Sequence, residues 1–190
     1  MNPRKLKLSL ILVSAALSAV TLLAWTQQWF TIALDDGQEL IVGGDIAAGA
    51  LSALALAGLV LIGALSIAGV IFRIILAILQ FFIGSAVVLS AWLAISDPIA
   101  ASASAISVAT GIAGSDSIAG VVSRTEQTAW PWLSVVIGVL IAVFAVLIAV
   151  TARVWPGSSR KYQTARFEQA TEKHNSVDDW DALTGGNDPT

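Results

Sequence analysis

Four stretches of this chain run for roughly twenty residues with no acidic or basic side chain, the length a helix needs to cross a hydrocarbon layer. They are Leu8–Trp25, Ile46–Val70, Ile74–Ser96 and Trp130–Ala152. Backbone polar groups in lipid must be satisfied within the segment, so each stretch is expected to be helical. Composition agrees: 56% of the residues are hydrophobic and 12% charged, against about 25% charged in ordinary soluble domains. Mean hydropathy is +0.81. Only a few residues around Arg73 separate the second and third stretches, which makes a tight helical hairpin. The fold class read from this pattern is an all-α membrane protein, a four-helix antiparallel transmembrane bundle. It divides into a transmembrane domain over 1–152 and a cytoplasmic tail over 153–190.

Basic residues set the orientation, because cytoplasmic loops carry the excess of Lys and Arg. Arg4, Lys5, Lys7, Arg73, Arg153, Arg160, Lys161, Arg166 and Lys173 fall on one side, Arg124 alone on the other. Asp35, Asp36, Glu39, Asp45, Asp97, Asp116 and Glu126 share the side of Arg124. Both termini are therefore expected in the cytoplasm of a cell-membrane, multi-pass protein. The first stretch also has the basic start and apolar run of a signal peptide. A retained helix is favoured, because the run is long and ends at Trp25 without a small-x-small cleavage site. Trp25, Trp29, Trp92, Trp130 and Trp132 lie at the outer ends of the spans and are read as an interfacial belt, the usual place for indoles. The competing reading is an aromatic cage for a substrate.

Close approach through small residues is what drives helix association in lipid. Gly49, Ala53 and Ala57 form such a stripe on the second span, and Ser134, Gly138 and Ala142 on the fourth. Gln80 is the most polar side chain within a span; interhelical hydrogen bonding is favoured over a role in lining a path. No Asp, Glu, Lys, Arg or His lies within a span, which argues against ion-coupled transport. The chain has no cysteine, which excludes disulfides, thiolate metal ligands and palmitoylation. No basic stripe with interleaved aromatics points to nucleic acid. No phosphate loop, HExxH, nucleophile elbow or carboxylate pair is present, and the single histidine, His174, sits in a polar tail. The expectation is a non-enzyme with no cofactor and no bound metal.

The outer loops are informative in part. Phe30, Ile32 and Leu34 alternate ahead of Asp35–Asp36–Gly37–Gln38, and Leu40 and Val42 follow, which predicts a small outer β-hairpin. Asp45 is placed to cap the second span, and Asp35, Asp36 and Glu39 read as solvated turn carboxylates. In the second loop Asp97–Pro98 starts a short helix reaching about Gly111, with Ile99, Ala103 and Ile106 on one face. The stretch "IAGVV" is read as extended.

Beyond the last span the charge separates. Residues 153–167 hold four basic residues and no acid, residues 168–190 six acids and one lysine. The first part suits an anionic leaflet and the second is repelled by it. Ser176 and Asp179 have capping-box spacing, and Val177, Trp180, Leu183 and Thr184 share one face of a two-turn helix that Gly185 ends. Such a helix is marginal alone in water. It would order on a partner through Trp180 and Leu183, flanked by Asp178, Asp179 and Asp181. Physics alone leaves this even with a largely disordered, solubilising tail.

The stretches "LLAWTQQWFT", "AWPWL", "RVWPGSSRKY" and "DDWDALTGGNDPT" give the chain a further meaning. Together they resemble the actinobacterial tryptophan-associated transmembrane protein family over nearly the whole length. Thr184 and Gly185 stand where that pattern has Asp–Arg, and Asn187 where it has Glu, which lessens the charge of the tail. The resemblance implies four spans and an association with tryptophan biosynthesis, and it implies no catalytic activity. It tilts the tail towards docking. The function expected is a membrane anchor or adaptor that recruits a cytoplasmic protein through the Trp180 tail. The alternatives are a small carrier or channel for tryptophan or a related compound, with a homo-oligomer supplying the pore, and an accessory subunit of a larger envelope membrane complex.

Overall fold

The computed structural model describes residues 3–155. Ten elements follow in order: α1 (Pro3–Trp25), β1 (Gln28–Leu34), β2 (Glu39–Gly43), α2 (Gly44–Ala47), α3 (Ala50–Ile67), α4 (Val70–Ser96), α5 (Pro98–Thr110), α6 (Ser115–Ala119), β3 (Val122–Gln127) and α7 (Trp130–Thr151). Four of these, α1, α3, α4 and α7, are long and apolar enough to cross a membrane. Helix α1 packs on α3 and α7, and α4 packs on the same two.

The packing faces repeat every three and four residues in alternation. On α4 the buried positions are Arg73, Ala77, Gln80, Gly84, Val87, Ala91 and Ala94; on α3 they are Leu51, Ala55, Gly58, Ile62 and Leu65. A 3.5-residue repeat keeps one seam of a helix against its neighbour along its length. The closest approach is between α4 and α7. A methyl built on Gly84 would stand 2.7 Å from the Ala142 nitrogen and 2.8 Å from the Gly138 carbonyl oxygen. One built on Gly138 would stand 2.9 Å from the Gly84 carbonyl oxygen. The two backbones touch there, and only glycine on both sides permits it.

The small-residue expectation is therefore half met. Ser134 and Gly138 are buried and Ala142 is half-buried on α7, whereas Gly49, Ala53 and Ala57 are exposed. The face of α3 that packs is the one carrying Ala55 and Gly58. Helix α3 is apolar all round, so its hydrophobicity gave no phase, and a stripe of small residues pointed to the wrong side. Ala57 instead lines a groove of about 570 Å³ between α3 and α4 with Leu54, Val60, Leu79, Phe82 and Ile83. Helix boundaries also shift: α4 begins at Val70 and takes Arg73 into its first turn, and α1 includes Arg4, Lys5 and Lys7.

At the other end of the helices the loops fold into a cap. The predicted hairpin is present, with Gly37 at φ +85° in its turn and the Asp36 carboxylate accepting the Gln38 N–H at 2.9 Å. Strand β3 adds to the opposite edge of β1, giving the antiparallel order β2-β1-β3. The inward residues Phe30, Ile32, Leu34 and Val42 share one core with Leu51 of α3, Val87 and Ala91 of α4 and Ile106 of α5. Helix α5 starts as expected: Asp97 accepts the Ala100 N–H at 2.9 Å, Pro98 opens the helix, and Gly111 at φ +71° closes it. Two local expectations fail. Asp45 lies inside the short helix α2 and caps neither α2 nor α3. Ile118 and Ala119 of "IAGVV" end helix α6, so of that stretch only Val122 is in a strand.

Candidate functional site

Two groups of polar side chains are built into the helices. The first lies mid-span. Helix α1 turns Ser14, Ser18 and Thr21 into the bundle, exposed by 1%, 1% and 0%; positions three and four apart share a helix face. Gln80 of α4 is fully buried. Thr21 donates to the Leu17 carbonyl at 2.9 Å, and Ser134 to the Trp130 carbonyl at 3.0 Å. This is how a hydroxyl usually satisfies itself on a helix in lipid. Ser14, Ser18 and both polar atoms of Gln80 have no hydrogen-bond partner in the protein. Ser18 and Gln80 approach each other over the bare backbone of Gly58.

The second group sits where the chain leaves α7. Arg73 is 3% exposed, and its Nη1 donates to the carbonyls of Ala152 at 3.4 Å and Trp155 at 3.5 Å. Lys7 donates to the Ser66 carbonyl at 2.9 Å. Each cation thus stands at a helix C-terminus, α7 for Arg73 and α3 for Lys7, where unpaired carbonyls and the helix dipole attract positive charge. Both approach the ring of Trp155, which is buried, with its centroid 5.4 Å from the Arg73 guanidinium carbon and 5.9 Å from the Lys7 nitrogen. These are cation–π distances. The Trp155 indole also donates to Thr151 Oγ1 at 3.2 Å. Sequence reasoning used Arg73 and Lys7 only as markers of orientation and did not see that they clasp Trp155. The available signal was "RVWP", an indole placed directly after a span.

The tryptophans of the expected belt divide. Trp92 and Trp132 are each 51% exposed and meet edge to face at 6.2 Å, as lipid-facing indoles would. Trp25 and Trp130 are half-buried against the cap core. Trp29 corrects the expectation: it is fully buried. Opposite β2, Gln28 pairs with Gly43 and Phe30 with Val42, so Trp29 is the extra residue of a β-bulge. A bulge breaks the in–out alternation of a strand, and Trp29 and Phe30 both turn inward. The Trp29 indole donates to the Ala24 carbonyl at 2.9 Å, in the last turn of α1.

The family to which this architecture belongs is decided by sequence. Residues 10–190 match the profile of the tryptophan-associated transmembrane protein family. The chain belongs to that family. No curated protein and no solved structure matches it. The matched region of this family member takes in both polar groups except Lys7, together with the whole cap. Among the described residues, no three His, Asp or Glu side chains gather in a way that would hold a metal ion. Arg124 pairs with Glu126 at 2.8 Å on the exposed face of β3. The expected docking residues Trp180, Leu183, Asp178, Asp179 and Asp181, and the basic stretch from Arg160, lie outside the described residues.

Proposed function

We propose that this member of the family is a non-enzymatic membrane adaptor. Its four long helices cross the cell membrane as an antiparallel bundle, both termini lie in the cytoplasm, and the tail beyond Trp155 docks a cytoplasmic protein involved in tryptophan metabolism. The observation that carries this reading is the clasp on Trp155. Arg73 and Lys7 hold Trp155, the last described residue of the chain, at the ends of α3 and α7. A scaffold for recruitment needs such a mount. The family's description supports the link to tryptophan, and the charge separation of the tail supports its reach into the cytoplasm.

Topology is the first test. The chain has no cysteine, so Gln38→Cys, Ser115→Cys and Ser176→Cys each introduce a single thiol. An impermeant maleimide should label the first two on intact cells and Ser176→Cys only after permeabilisation. Labelling of Ser176→Cys on intact cells would contradict the orientation.

Docking is the second. The full-length protein, purified with its cytoplasmic partner, should lose ~2 kcal/mol of binding with Trp180→Ala, as expected of a buried indole anchor. Ser176→Ala should cost about 1 kcal/mol through loss of a helix cap. Replacing Asp178, Asp179 and Asp181 by asparagine should chiefly slow association with a basic partner, less so as salt rises. If Trp180→Ala binds as well as wild type, the adaptor reading fails. Altered flux of labelled tryptophan in a deletion strain, restored by a chain truncated after Thr171, would favour the carrier instead.

A further inference from the structure

The mid-span polar group serves no purpose in the adaptor reading, yet it sits at the core of the helices. Gln80 brings two donors and an acceptor into a region where an unsatisfied amide costs several kcal/mol. Ser18 adds a hydroxyl that forgoes the carbonyl one turn back, unlike Thr21 and Ser134. Both converge on one spot. The point where a methyl on Gly58 would stand is 2.8 Å from Ser18 Oγ and 3.5 Å from Gln80 Nε2. Glycine at 58 therefore leaves α3 bare where polar groups of α1 and α4 meet.

We propose that Ser18 and Gln80, beside the bare backbone of Gly58, form a binding site for a buried water molecule that links α1, α3 and α4. The chemistry selects the ligand. A hydroxyl and a primary amide offer both donors and acceptors, which is what a water with two to four partners requires. A charged guest would need a counter-charge. Arg73, the buried ionic group among the described residues, lies seven residues from Gln80, about 10 Å along the helix. The bundle then has two kinds of seam: a dry one between α4 and α7, where Gly84 and Gly138 touch, and a wet one that holds α1.

The test uses the full-length protein in deuterated micelles with ¹⁵N-labelled glutamine. The Gln80 side-chain amide, identified by its loss in Gln80→Leu, should show a rotating-frame Overhauser cross-peak at the water frequency. Absence of that cross-peak in the wild type overturns the proposal. Thermal unfolding of two variants gives an independent reading. Gly58→Ala displaces the water and leaves its partners unpaired, whereas Gly58→Ser supplies a hydroxyl in its place. Gly58→Ser should melt about 2–4 °C or more above Gly58→Ala, a shift resolvable for a chain of this size. A purely steric, dry contact predicts the reverse, because serine is the larger side chain.

Discussion

Gly84→Leu is expected to break the pairing of α4 with α7 and to leave little folded protein after extraction into mild detergent. The reason is geometric. A single methyl at this position already falls 2.7–2.8 Å from backbone atoms of α7, at Ala142 and Gly138, and backbone cannot move aside as a side-chain tip does. An isobutyl group must push the helices apart, and Ser134, Ile137, Ile141 and Ala145, buried on α7, lose their packing with them. Overpacking of this kind costs about 3 kcal/mol or more, and lipid supplies no hydrophobic drive to restore the contact. Gly138→Leu should behave alike, since its methyl would stand 2.8–2.9 Å from Val88 and Gly84. Two controls isolate the cause. Gly63 has nothing within 4 Å of a built methyl, so Gly63→Leu should fold as well as wild type. Ala53→Leu should too, because Ala53 is exposed. Size-exclusion recovery and thermal unfolding measure all four. If Gly84→Leu unfolds no earlier than Gly63→Leu, the glycine seam does not hold the bundle.

These controls mark where the sequence could be read and where it could not. The four spans were legible because the absence of charge over about twenty residues has one physical outcome in lipid. The α5 cap was legible because Asp97 and Pro98 act locally. Phase within a span was not. Helix α7 carries Ser134 and Gly138 on its seam, so spacing by four found it. In α3 every face is apolar, and only contact with Ser18 and Gln80 selects Gly58 over Ala57. The third strand was missed because "VSRTEQ" is polar: β3 lies at an edge with one side open, and its place is fixed by pairing with β1. The clasp on Trp155 required knowing that Arg73 lies within α4 and not in a loop, a boundary four residues from the expected one.

Trp29→Ala is expected to be the most damaging change among the tryptophans of the described region, at a cost of ~3–5 kcal/mol. Expected as one of five indoles in a belt, it should stand apart from the rest. Two losses coincide. Its ring is fully buried in the cap core, in edge-to-face contact with Phe30 at 6.4 Å, and truncation leaves a large cavity. Its N–H donates to the Ala24 carbonyl in the last turn of α1, which also accepts the Gln27 N–H at 3.2 Å, and alanine removes that indole bond. The backbone bond at the bulge, where the Trp29 carbonyl accepts the Thr128 N–H at 2.9 Å, is kept by alanine, so the cost falls on the side chain alone. Trp132→Ala removes an indole that is half exposed, and its cost should stay near 1 kcal/mol, the order of one aromatic pair. Trp29→Phe separates the contributions: it keeps most of the apolar volume, loses the bond to Ala24, and should fall between the two. Protease cleavage in the loops of the cap reports the same order, with Trp29→Ala cut fastest because the sheet no longer seals on Leu51, Val87 and Ile106. Equal unfolding temperatures for Trp29→Ala and Trp132→Ala would return Trp29 to the interfacial belt and remove the bulge as the reason for its burial.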